Sequence, residues 1–166
     1  MHLIIDGYNL LHVRRSIFRL DPTDLERERD RLIGELSVYR RQRSCQITVV
    51  FDGWQGGWAS ETREVRKGIE LIFSKLGEKA DEVIKRLVRE KGAGSIVITS
   101  DRDVSRYAEG MSAAVIPSDQ FREKMERPVD KPGKEEEEER TATRRKGPSR
   151  RLSKKERRRF TALRKL

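Results

Sequence analysis

Cysteine is nearly absent from this chain. The single thiol, Cys45, cannot form an internal disulfide and has no CxxC or Cys/His companions. A disulfide scaffold and a zinc site are therefore excluded, and a reducing compartment fits. Long hydrophobic runs are missing as well. No stretch approaches the roughly 18 apolar residues of a membrane span, and the first residues show neither a basic n-region nor a small-residue cleavage site. A cytoplasmic protein is the expectation. No internal repeat is visible, so one ordinary domain with an appendage accounts for the 166 residues.

What the chain has is charge. Charged residues make up 40%, the net charge is +10 and the mean hydropathy is −0.83. The excess is not evenly spread. Met1 to Asp130 holds 23 Lys+Arg against 22 Asp+Glu, whereas Lys131 to Leu166 holds 15 against 6. A nearly neutral core thus carries a basic C-terminal segment. Such a segment attracts polyanions, because each neutralised phosphate releases condensed counterions. Nucleic acid is the first partner to consider; an anionic membrane surface comes second and is not favoured.

Short apolar runs alternate with helical patterns. Leu3-Ile4-Ile5, Gln46 to Phe51, Ile69 to Phe73, Ser95 to Thr99 and Ala113 to Ile116 read as strands. Thr23-Asp24-Leu25-Glu26 resembles a capping box opening a helix, with Pro22 just before it. Val83, Ile84, Leu87 and Val88 give Asp81 to Glu90 an amphipathic stripe, which Gly92 and Gly94 end. A short helix through Tyr107 and another from Pro117 follow. Strands alternating with helices imply right-handed crossovers and a mainly parallel sheet, an α/β fold. After Arg127 the composition favours a disordered linker, with Pro128, Pro132, Gly133 and the acidic run Glu135 to Glu139. The division is therefore 1–127 for the domain and 128–166 for an acidic-then-basic extension. Within that extension Ser153 to Glu156 matches a capping box, and a basic helix is expected over 153–166.

Three strands end in acids: Asp6, Asp52 and the pair Asp101/Asp103. Asp81 opens the helix before the fourth strand. Carboxyl ends of parallel strands line one edge of an open sheet, where ligands bind. Clustered carboxylates repel each other, and a hard divalent ion such as Mg²⁺ or Mn²⁺ would neutralise them. Metal-assisted phosphodiester hydrolysis is the natural chemistry. Each acid alone also has a plainer reading. Asp6-Gly7 and Asp52-Gly53 suit turns, and Asp81 or Asp101 suits a helix cap.

The segment Ile4-Ile5-Asp6-Gly7-Tyr8-Asn9-Leu10-Leu11 resembles the opening strand of NYN-domain proteins, most closely the bacterial YacP-type branch of the PIN-like nuclease superfamily. Val50-Phe51-Asp52-Gly53, Ala80-Asp81-Glu82-Val83-Ile84 and Thr99-Ser100-Asp101-Arg102-Asp103 continue the resemblance in order. It implies a Rossmann-like three-layer α/β/α fold with a divalent-metal site. It also implies endoribonuclease activity and, in some members, action on mRNA at the ribosome. By that resemblance Asp6 is the central metal ligand, Asp101 a second, direct or through water, and Asp81 completes the acidic cluster. Asp103 is a further catalytic acid of less weight. Asn9 orients Asp6 or touches a phosphate, Ser100 does likewise, and Asp52 supports the site from behind.

The remaining features divide between function and scaffold. The basic extension is expected to bind RNA, as mRNA or rRNA, or to anchor the ribosome. Trp54 and Trp58 either stack on unpaired bases or cover the sheet edge. Arg63, Arg66 and Lys67 either guide a phosphate backbone or form a solvated face, and His2 and His12 read as structural. The main rival is a noncatalytic RNA- or ribosome-binding module on the same fold. An aspartyl-phosphate phosphatase is set aside, because the acid it needs two residues after Asp6 is Tyr8 here.

Overall fold

The computed structural model describes residues 1–13, 20–53, 59–126 and 153–166. The expectations for the Trp54–Trp58 loop and for the linker over 128–152 lie outside the described residues. Along the rest run β1 (His2–Asp6), α1 (Gly7–His12), α2 (Pro22–Arg43), β2 (Gln46–Phe51), β3 (Thr62–Arg66) and β4 (Ile69–Phe73). There follow α3 (Ala80–Lys91), β5 (Ser95–Ile98), α4 (Arg102–Gly110), β6 (Ala114–Ile116), α5 (Ser118–Glu126) and α6 (Lys154–Lys165). Among the described residues no helix is long and apolar enough to cross a membrane.

The six strands form one sheet in the order β3-β4-β2-β1-β5-β6, and every pairing is parallel except that of β3 with β4. The alternation of side chains along β1 builds two cores. Leu3 and Ile5 face α1, α2 and α5, packing with Leu10, Leu32, Leu36 and Phe121. Ile4 faces α3 and α4, packing with Val83, Ile84, Leu87, Val104 and Ala108. Central strands buried on both sides read as unbroken apolar runs for this reason. The result is the expected α/β/α sandwich.

Three local expectations change. Pro22 does not precede α2 but is its first residue; Asp21 is the N-cap and accepts the Asp24 N–H at 2.8 Å, so Thr23 lies inside the helix. Asp6-Gly7 is not a turn. Asp6 is the N-cap of α1, and neither Gly7 nor Gly53 has a positive φ. Both glycines instead answer to crowding. A Cβ on Gly7 would stand 2.3 Å from the Phe51 ring, and one on Gly53 would stand 1.8 Å from the Ser74 carbonyl oxygen. The third change is β3, an unexpected antiparallel edge strand whose Thr-Arg-Glu-Val-Arg sequence keeps charge along an exposed edge.

The basic helix also forms, and it packs more closely than an appendage would. Ser153 and Glu156 make the reciprocal capping box, with bonds of 3.2 and 2.7 Å. Ala162 and Leu166 are buried in the core shared with α2, and the Tyr39 hydroxyl donates to the Leu166 carbonyl at 2.8 Å. Lys155 pairs with Glu109, and Arg159 donates to Gln120. α6 thereby contacts β6 and shields the second edge of the sheet.

Candidate active site

β1 is flanked by β2 on one side and β5 on the other, so successive connections leave it in opposite directions. That makes the carboxyl ends of β1 and β5 a topological switch point, the crevice where open α/β sheets bind ligands. Asp6 is the last residue of β1, and Asp101 follows β5 by three residues.

The acids there are held by helix N-termini and one hydroxyl. Asp6 accepts the Asn9 N–H at 3.1 Å and the Thr99 hydroxyl at 3.3 Å, and it is buried. Asp101 caps α4, accepting the N–H groups of Asp103 at 2.7 Å and Val104 at 3.0 Å. Asp52 reaches across to accept the Ala80 N–H at 2.6 Å, capping α3 from another element. Asp81 stands in the first turn of that helix. The plainer reading of Asp101 as a cap is thus correct, and it coexists with a place at the switch point.

Electrostatics tie the four together. Burial first, then the neighbouring Asp81 and Asp52 charges, push Asp6 up to about 7, against two hydrogen bonds that favour its ionised form. Asp81 is also raised, by burial and then by the charges of Asp101 and Asp52. Lys85 and Lys79 offset only part of the repulsion at Asp81. Even so, among the described residues no group of three or more His, Cys, Asp or Glu is disposed to hold a metal ion.

The other expected residues divide. Asn9 and Ser100 belong to the site's frame. The Asn9 side-chain oxygen accepts the Ser100 N–H at 3.0 Å and the Ser118 hydroxyl at 2.8 Å, while the Ser100 hydroxyl accepts the Ser118 N–H at 3.1 Å. This net fixes α1, the β5–α4 connection and α5 around Asp6. Asp103 faces outward, and Lys85 bonds it at 2.7 Å, holding its carboxyl below the usual range. Arg63 lies on the outer strand β3 and pairs with Glu61 and Glu70. Arg66 is opposite Ile69, the first residue of β4, and so at the far end of the sheet from Asp6; Asp30 and Glu64 hold it. His2 contacts Thr48 at 2.8 Å at that same far end, as a structural residue would.

Thr99 is the residue that reading by acids overlooks. Its hydroxyl donates to Asp6 and accepts the Asp101 N–H at 3.1 Å, linking the Asp6 carboxylate to the Asp101 backbone. Its place directly before Ser100-Asp101 is the signal that marks it.

A family model described as the YacP-like NYN domain matches residues 3–165. The uncharacterized protein YacP of Bacillus subtilis (strain 168) is 31% identical over 87 residues, 52% of this chain and 51% of that protein. The aligned part thus spans about half the length of this relative. A crystal structure of a mutant form of Rae1 (YacP) from Bacillus subtilis superposes with a TM-score of 0.62 at 25% identity, covering 87% of this chain and 80% of that one. Another structure of Rae1 gives 0.60 at 24% identity, with coverage of 87% and 79%.

Proposed function

The chain belongs to the YacP-like NYN domain family, whose fold is of nuclease type, and from that premise we propose that it is a divalent-metal-dependent endoribonuclease. The observation that carries the reading is the acidic edge at the β1/β5 switch point, where Asp6 and Asp81 are raised by burial and by neighbouring carboxylates. The donors are hard oxygens of the kind that Mg²⁺ and Mn²⁺ take. Mg²⁺ keeps several waters and is commonly held by one or two carboxylates together with substrate phosphate, so no closed cage of three acids is needed.

Asp6 is assigned as the central ligand, Asp101 as a second, direct or through water, and Asp81 as the acid that completes the charge. A bound ion would supply an acidified water and counter-charge for the leaving oxygen, giving 5′-phosphate and 3′-hydroxyl ends. The chain's own residues prepare that chemistry. Thr99 ties the Asp6 carboxylate to the Asp101 backbone, and Asn9 and Ser100 fix the walls. The basic face of α6 recruits the polyanion, mRNA or rRNA, in a ribosome-associated setting in the cytoplasm.

One observation favours the noncatalytic RNA- or ribosome-binding module instead, namely the lack of a ready-made three-acid metal group among the described residues. Incubation with RNA and with translating ribosomes, with and without EDTA, separates the two. Cleavage lost both in EDTA and in Asp6→Asn supports the nuclease. RNA binding with no cleavage by the unaltered protein under any metal supports the module.

A further inference from the structure

Beside the acidic edge, on the α2 side of the sheet, lies a row of aromatic rings that the catalytic reading does not use. Tyr8 in α1 packs edge-on against Phe51 at a centroid distance of 5.2 Å, and Phe51 stacks on Phe73 at 5.6 Å. Phe51 and Phe73 end their strands opposite each other, and Tyr8 stands two residues after Asp6. The row therefore runs along the same carboxyl edge as the acids. Arg29 closes it, with its guanidinium 5.7 Å from the centre of the Phe73 ring.

Arg29 is held differently from the ion-paired basic residues beside the sheet. Arg63, Arg66, Lys85 and Arg86 are each paired with two carboxylates. Among the described residues Arg29 pairs with none, and it is seated by a ring face, which holds a cation without cancelling its charge. The Tyr8 hydroxyl is buried without a hydrogen-bond partner among the described residues. Burial pushes the Tyr8 hydroxyl up, and the neighbouring Arg29 charge only partly opposes that. Ring contacts thus lead from Arg29 through Phe73 and Phe51 to Tyr8, two residues from Asp6.

We infer that Arg29 is a positioning residue for the nucleic-acid substrate, gripping a backbone phosphate next to the acidic edge while the Phe73 ring seats its planar fork. A guanidinium presents paired N–H donors that fit two phosphate oxygens, and a cation fixed by an aromatic ring spends little conformational entropy on the grip. The inference rests on the RNA reading above, because the phosphate it needs belongs to that substrate.

The test is single-stranded RNA binding by full-length protein carrying Asp6→Asn, titrated with salt. Arg29→Gln is expected to weaken binding about tenfold at low salt. It should also reduce the slope of log K against log salt by about 0.7, the value for one phosphate contact on a single strand. Arg29→Lys should keep the slope and lose part of the affinity, and Phe73→Leu, which leaves the charge but removes its seat, should raise Kd with the slope unchanged. Arg41→Gln, the same charge change at the other end of α2, should leave the slope alone. An unchanged slope in Arg29→Gln, or an equal drop in Arg41→Gln, would overturn the assignment whether or not the melting temperature moves. If no variant, nor the Asp6→Asn parent, binds RNA at low salt, it is the RNA reading itself that falls, and this inference with it.

Discussion

Asp6 carries the sharpest consequences of any single residue. Its folded pKa near 7 lies above its ordinary value of 3.8, so between those limits the folded protein holds a proton that the unfolded chain has released. The contribution of Asp6 to stability then falls as pH rises from about 4 to about 7, by an amount on the order of 4 kcal/mol. Asp6→Asn removes that charge. In EDTA at pH 8 the variant should melt at a higher temperature than the unaltered protein, and the advantage should vanish near pH 4. Mg²⁺ at pH 8 should raise the melting temperature of the unaltered protein and not that of Asp6→Asn. A gap that does not vary with pH would mean that the carboxylate is not the strained group. Asp103 should behave differently, because it faces solvent and Lys85 holds it. Asp103→Asn is expected to retain cleavage within about threefold, measured beside a loss of at least a hundredfold in Asp6→Asn; factors of this size are what separate a peripheral contact from an essential charge.

The elements show how far the sequence could be read. The apolar runs that became β1, β2, β4, β5 and β6 were legible because strands buried on both faces need unbroken apolar residues. The Val83-Ile84-Leu87-Val88 stripe was legible because only one side of α3 is covered. β3 was not. It is an outer strand with a charged, exposed sequence, and local pattern cannot distinguish it from a loop when its partner β4 supplies the pairing. α1 was hidden by its brevity and by a glycine that looks like a turn residue but is there to let a helix approach Phe51. The acids at the site were visible as strand endings, whereas Thr99 and Ser118 act through hydrogen bonds that only the assembled edge brings together. Gly53 offers a check on this reasoning. Its Cβ would strike main chain rather than a movable side chain, so Gly53→Ala should cost about 2–3 kcal/mol in chemical unfolding, within the usual range for overpacking. A loss under 0.5 kcal/mol would show that the approach of Ser74 is not constrained.

At the scale of the whole molecule, charge and stability are joined in α6. The chain carries most of its net positive charge after Asp130, yet the helix bearing much of it is anchored by Ala162, Leu166 and the Tyr39 hydrogen bond. Substitutions there should therefore separate by face. Ala162→Glu, on the buried face, should lower stability by about 2–4 kcal/mol through an unpaired buried charge. Lys154→Gln with Arg157→Gln, on the exposed face, should leave the melting temperature within about 1 °C, as surface changes usually do, and weaken RNA binding. If both variants instead lost stability equally, α6 would be a structural helix whose charge is incidental.

The anchoring of α6 has one more outcome. Its hold on β6 and Tyr39 is made of side-chain burial and a hydrogen bond, none of which requires the peptide backbone to run unbroken from α5. A fragment ending at Glu126 and a synthetic peptide of residues 153–166 should accordingly recombine in trans, as a split protein does. Fluorescence titration of the labelled peptide would report the association, and Ala162→Glu in the peptide should abolish it.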